Sequence, residues 1–234
     1  MNYFNKILLI GLLICLFSAK SASQNNPYVD ERALHLGFFI GLNSADFGIK
    51  QGKTTFDGVK YAVADARLKP GFLLGAISDF RLNNYWNFRI TPSLQFVERE
   101  LTYKNLTTNE LTRQQILSVP ICVPAYLKYS SERIGNYKPY LIGGVGACYD
   151  LARDAEKPIL LRPFDFYVEF GVGCDFYFSF FKLAPELKFA LGFNDILTPL
   201  SERKSGFVSQ TDSKYSNMLN GLTSRMITLV FNFE

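Results

Sequence analysis

Histidine is all but missing from this chain, His35 being the single one. A Ser/His or Asp/His hydrolytic pair has therefore one possible base. Its position at the start of the first extended segment suits a hydrogen bond at a rim or interface better than proton transfer. Cysteine is sparse too, with four residues at wide spacing and no metal-type pairing. We read Cys122, Cys148 and Cys174, the three left after removal of a leader, as small apolar strand residues rather than a disulfide framework. Beyond the leader no apolar run escapes interruption by charge, which excludes a helical membrane protein. Charge of one sign is lacking as well. Lys6 and Lys20 leave with the leader, so 23 of the 25 basic residues face 21 acidic ones, a formal +2. That balance is wrong for a nucleic-acid partner. The run Gly143-Gly144-Val145-Gly146 has no helix after it and cannot cradle a phosphate. No metal or small-molecule cofactor is expected, and no catalytic residue.

The chain opens on an address. Lys6, the apolar run Ile7 to Phe17 and the small polar stretch Ser18 to Gln24 give the three regions of a secretory signal, with cleavage expected between Ser23 and Gln24. Cys15 would need a small residue before it to be a lipid-anchor site, but Ile14 stands there and the apolar run continues past it. Residues 1–23 are thus expected to be a signal peptide, 24–33 a short periplasmic segment and 34–234 one domain with no internal linker.

What that domain has in abundance is alternation at a period of two. Trp86, Phe88, Ile90, Pro92, Leu94 and Phe96 alternate with Asn87, Arg89, Thr91, Ser93 and Gln95. From Phe164 to Phe178 every second residue is apolar, against Asp165, Tyr167, Glu169, Gly171, Gly173, Asp175 and Tyr177. Similar stretches are expected at Leu36 to Asn43, Phe72 to Leu82, Ser118 to Ser130, Tyr140 to Asp150, Phe181 to Gly192 and Ile227 to Phe233. Eight strands, an even number, bring both ends to one side. Between them the connections alternate: tight turns at Asn83-Asn84, Glu132 to Asn136 and around Ser179, and longer polar loops at 44–70, 104–113, 153–162 and 194–218.

The faces decide the solvent. Gly37, Gly41, Gly75, Gly144, Gly146, Gly171, Gly173 and Gly192 fall on the polar face. An eight-stranded barrel leaves room for little more than side chains inside, so small residues mixed with a few long charges fit the lumen, whereas the Phe-rich face would overfill it. Apolar side chains outward, with every backbone group satisfied by closure, is what lipid requires. The expected fold is an all-β, eight-stranded, antiparallel up-and-down transmembrane β-barrel in a bacterial outer membrane, with outer-membrane lipid as its first partner. Trp86, Tyr129, Phe178, Phe181 and Phe233 then form an aromatic girdle at the periplasmic interface. Asp79, Arg81, Arg89, Lys128, Asp150, Asp165, Glu169, Asp175, Lys182, Glu186 and Lys188 point into the lumen, and we expect them to plug it as interlocked ion pairs, because a buried charge without a partner costs several kcal/mol. Carboxylates such as Asp165, Glu169 and Asp175 share a face only as any polar strand face would arrange them. Pro92, Pro120, Pro124, Pro139 and Pro185 remove ladder donors and should mark bulges or strand ends. The lysines and arginines of the long loops (Lys50, Lys53 and Lys60; Arg203, Lys204 and Lys214) offer an alternative role in adhesion or ligand binding.

Four ordered segments carry a resemblance: LHLGFFIGLNSADF (34–47), DFRLNNYWNFRITPSL (79–94), VPAYLKYSSERIGNYKPYLIGGVGACY (123–149) and EFGVGCDFYFSFFKLAP (169–185). Together they resemble the PorT family of outer-membrane barrels of Bacteroidota, whose small barrel is of the OmpA/OmpX kind. The resemblance implies an accessory or assembly role in type IX protein secretion, with secretion-system proteins as partners and no catalytic residues to carry over. The loops 44–70 and 194–218 depart most from the pattern.

Overall fold

The computed structural model describes residues 32–52, 55–56, 59–106, 108–152, 159–199, 202–203 and 218–234. The leader and cleavage site lie outside them, as do most of the preceding segment and parts of the long loops. Strands run in the order β1 (Leu34–Gln51), β2 (Thr55–Phe56), β3 (Val59–Arg81), β4 (Trp86–Ile90), β5 (Ser93–Asn105), β6 (Leu111–Ser118), β7 (Pro120–Ser130), β8 (Tyr137–Asp150), β9 (Phe164–Tyr177), β10 (Lys182–Gly192) and β11 (Leu219–Phe233). All pairings are antiparallel, and β1 pairs with both β3 and β11, which closes the sheet on itself. Counting β4 with β5 and β6 with β7 as interrupted single strands, and β2 as a short return against β3, the ring has eight staves.

The prolines explain the interruptions. Ile90 opposes Ala125, Ser93 opposes Cys122 and Val97 opposes Ser118, so the register is one and the same across the whole hairpin. The gap falls at two adjacent steps of this ladder, where Pro124 stands opposite Thr91 and Pro92 opposite Val123, each proline without an N–H to donate. Pro139 pairs with Cys174, and the β9–β10 ladder skips the step opposite Pro185. A closed barrel thus tolerates proline by placing it on neighbouring staves, losing bonds locally without a slip.

Exposure separates the faces as lipid would. Phe38, Phe170 and Val145 are 59%, 51% and 62% exposed, whereas Asp79 and Arg89 on the opposite face are 1% exposed. Inward glycines make room for large rings: a methyl group on Gly173 would run into the Tyr140 ring, and one on Gly146 into Tyr167.

Two expectations need correction. Two of the outer loops, 44–70 and 104–113, are shorter than the alternation suggested, because β1 runs on to Gln51, β3 begins at Val59, and β5 and β6 leave only 106–110 between them; the last strand is longer, β11 starting at Leu219 rather than Ile227. Above the hydrocarbon both faces of a strand can be polar, so strands continue there with no period-two signature. The ring is uneven at this end. Pairing of β1 with β3 stops at Ala45 and Lys69, beyond which β3, β5 and β6 rise as one blade and β1 with β11 as another. The second correction concerns cysteine: Cys122 and Cys148 are direct cross-strand partners on β7 and β8, 4.1 Å apart at Cα, and are joined by a disulfide. Directly opposed residues on antiparallel strands approach closely enough for such a bridge, and the export route is oxidising. Among the described residues Cys174 is the free thiol.

Candidate functional site

The concentration of chemistry is the lumen, whose layers follow from which staves contribute inward residues. At the short-turn end β3 supplies Asp79, β4 Asn87 and Arg89, β7 Lys128, β9 Asp175, β10 Lys182 and Glu186, and residue 234 follows β11. Arg89 is the hub. Its Nη2 lies 2.6 Å from Asp79 Oδ2 and 2.9 Å from Glu234 Oε1, and its Nη1 3.4 Å from Glu186 Oε2. Asn87 donates to the other Asp79 oxygen at 2.5 Å. Lys182 lies 2.6 Å from Glu234 and 4.0 Å from Asp175, whose Oδ2 also takes Lys128 at 2.7 Å. Tyr140 donates to Glu186 at 2.7 Å and offers its ring to Lys128, 3.9 Å from the centroid.

One layer up, Lys188 sits 3.7 Å from Glu186 and 3.9 Å from Glu169, and donates to the Tyr126 hydroxyl, which in turn donates to Glu169. Arginine, lysine, carboxylates and tyrosines therefore form one cross-lumen net. Isolated surface pairs contribute little, but here the groups are buried and removing one leaves several others uncompensated.

Eight of the eleven lumen charges expected from the sequence meet in this net: Asp79, Arg89, Lys128, Glu169, Asp175, Lys182, Glu186 and Lys188. Three do not. Arg81 turns to the exposed short-turn end and donates to Asn84. Asp150 caps backbone, accepting from Val119 and Ala152 at the outer end of β8. Asp165 lies apart, in a cavity of about 60 Å³ shared with Arg99, Arg162 and Tyr167. Their positions near strand ends account for this: parity aims a side chain inward only while the ring is there to enclose it.

Four members were missed as site residues. Tyr126, Tyr140 and Asn87 stand on the inward face, and only their lack of formal charge kept them off the roster. Glu234 has the inward parity of Thr228, Val230 and Asn232, so extending the alternation by one step finds it.

The outer half of the lumen holds an apolar cluster that the expectation of interlocked charges did not include. Phe47, Leu101, Tyr103, Ile116 and Leu222 from the staves pack with Ile159, Leu161, Ile196, Leu197 and Met218 from the connections. Leu161 bridges Leu197, Ile196 N donates to Leu222 O at 2.9 Å, and Asp195 accepts from both Leu197 and Leu222. Two long connections thus fold in and stopper the mouth. Their apolar residues, which a polar-loop reading passed over, are what hold them there.

On the outside, Trp86 packs on Tyr129 at 4.9 Å between ring centroids, Phe178 on Phe181 at 5.1 Å and Phe181 on Phe233 at 6.2 Å, all at the short-turn end, and Phe38 stacks on Phe233 at 5.1 Å. His35 lines the polar vestibule just inside them, on the inward face of β1.

A family model described as outer membrane protein beta-barrel domain matches residues 22–198. No functionally curated protein matches the chain. Among solved structures, the outer membrane protein OprG from Pseudomonas aeruginosa is 12% identical, over 84% of this chain and 92% of that one, with a TM-score of 0.42. Neisserial surface protein A (NspA) is 10% identical, over 86% and 98%, with a TM-score of 0.42. Ail, the attachment invasion locus protein of Yersinia pestis, solved with the heparin analogue sucrose octasulfate, is 13% identical, over 85% and 96%, with a TM-score of 0.37.

Proposed function

Because this chain belongs to the outer membrane protein beta-barrel domain family, we propose that it serves protein export as a plugged barrel, an accessory or assembly component of type IX secretion resembling PorT. It is an outer-membrane β-barrel protein. The secretion role is supported by the ordered resemblance of segments 34–47, 79–94, 123–149 and 169–185, together with one structural observation. The lumen is crossed at two levels, by the net around Arg89 below and by the apolar cluster around Leu101 and Leu161 above. A barrel closed in this way works through its turns, blades and rim rather than by conduction, and secretion-system proteins are the partners we assign to those surfaces. The aromatic clusters at Trp86–Tyr129 and Phe178–Phe181–Phe233 anchor it at the inner interface.

Two experiments test this. Refolded protein in planar bilayers should show no large stable openings; frequent openings overturn the plug. Deletion of the gene should abolish release of secreted proteases or gliding components, and unchanged export removes the secretion role while leaving the barrel intact.

A second reading is favoured by the blades, since strands that continue beyond the hydrocarbon present shaped surface to the outside. Under it the outer ends bind a surface ligand. Trimming the loops at 52–58 and 199–217 to short turns would then cost binding, whereas an export component acting at the periplasmic side would keep its activity.

A further inference from the structure

The short-turn mouth opens into a polar cavity of about 270 Å³, ringed by Arg81, Arg133 and Lys138 and floored by Lys128 and Lys182. Two carboxylates share it, Glu132 and Asp175. Both are engaged: Glu132 accepts from the Tyr85 hydroxyl at 3.0 Å, and Asp175 lies between Lys128 and Lys182. The floor is thus neutralised, whereas the two guanidiniums of the rim, Arg81 and Arg133, are held by neutral groups. Arg81 donates to Asn84 Oδ1 at 2.7 Å. Arg133 donates to the Gly135 carbonyl at 2.8 Å and stacks over the Tyr177 ring at 3.9 Å. Among the described residues no carboxylate lies within ion-pair distance of either guanidinium. Each guanidinium carries five N–H donors in a planar fork, so most of that capacity points at water.

We propose that this mouth is a docking cup for an acidic, extended peptide segment of a periplasmic protein. The short turns of outer-membrane barrels face the periplasm, so soluble periplasmic proteins meet this end. Two guanidiniums with spare forks match the two oxygens of Asp and Glu side chains. Asn84 and Asn87 line the same cavity and add amide partners. The volume admits a few side-chain tips, not a folded domain. Anionic lipid is the competing source of negative charge. It belongs outside the ring, beyond Trp86 and Tyr129, whereas the cup opens inside it. This inference needs only the barrel and its orientation and stands apart from the secretion role.

The test uses the full barrel refolded in zwitterionic nanodiscs and titrated with hexaglutamate at low salt. Trp86, the single tryptophan and the neighbour of the cup residue Tyr85, reports through its emission, and calorimetry gives the affinity. Saturable binding is expected, weakened at least about tenfold in the Arg81→Gln/Arg133→Gln variant and unchanged in Lys104→Gln/Arg113→Gln, which removes the same charge at the opposite end. Heat-modifiable gel migration confirms that each variant is folded. The proposal is overturned by absence of saturable binding, by equal weakening in both variants, by hexalysine binding as well as hexaglutamate, or by anionic nanodiscs competing the peptide away at low lipid charge.

Discussion

Glu234 places its carboxylate 2.9 Å from the guanidinium of Arg89, a residue 145 positions earlier in the chain, and so ties the end of the last stave to the third across the lumen. Arg89→Met keeps the side-chain length and removes the charge, leaving Asp79, Glu186 and Glu234 facing one another. We expect a loss of about 3–5 kcal/mol in unfolding free energy, measured by urea titration of the refolded barrel in lipid vesicles. Glu234→Gln removes one spoke only and should cost distinctly less.

Lipid contact is tested at Phe170, midway along β9 and exposed on the outer face. Phe170→Arg should destabilise by about 2–4 kcal/mol in a bilayer, the cost of a cation near the midplane. Phe170→Leu should be close to neutral. Equal stability of the arginine and leucine variants would place this face in water.

The bridge between Cys122 and Cys148 closes a loop with a sequence separation of 26. Mass spectrometry of the native protein should find these two residues joined and Cys174 free to alkylate. The Cys122→Ala/Cys148→Ala variant should still form a barrel, less stable by roughly 3 kcal/mol if constraint of the unfolded chain dominates.

Two glycines one stave apart should behave oppositely. Gly173→Ala pushes a methyl into the Tyr140 ring and so disturbs the hydrogen bond to Glu186, whereas Gly143 faces outward with nothing near its added carbon. Denaturant midpoints should fall for Gly173→Ala and hold or rise for Gly143→Ala.

These tests also mark where sequence pattern could be followed and where it ran out. Asp79 and Arg89 were legible as a pair because both have inward parity on one hairpin, directly opposed in register. The link from Arg89 to Glu186 was not, since it depends on curvature bringing the third stave to face the seventh. Cys122 and Cys148 shared inward parity too, but only the register, set by the turn at 131–136, makes them partners. Period two is visible where lipid and lumen differ sharply. β3 runs on through Ala62 to Leu68, where alanines give little contrast between alternate positions. The stopper was hidden for a related reason: Ile159, Leu161, Ile196 and Leu197 are scattered apolar residues in connections, and nothing local says that they converge.

The tie between Arg89 and Glu234 bears on how the barrel is assembled. A sheet built only as far as β9 would carry a guanidinium whose later counter-ions, on β10 and just past β11, have not yet arrived. Neutralisation is therefore deferred to the joining of first and final staves, and half-built sheets are penalised relative to the sealed ring. Insertion should proceed as one concerted event, with the partly curled sheet kept next to water until its seam zips shut.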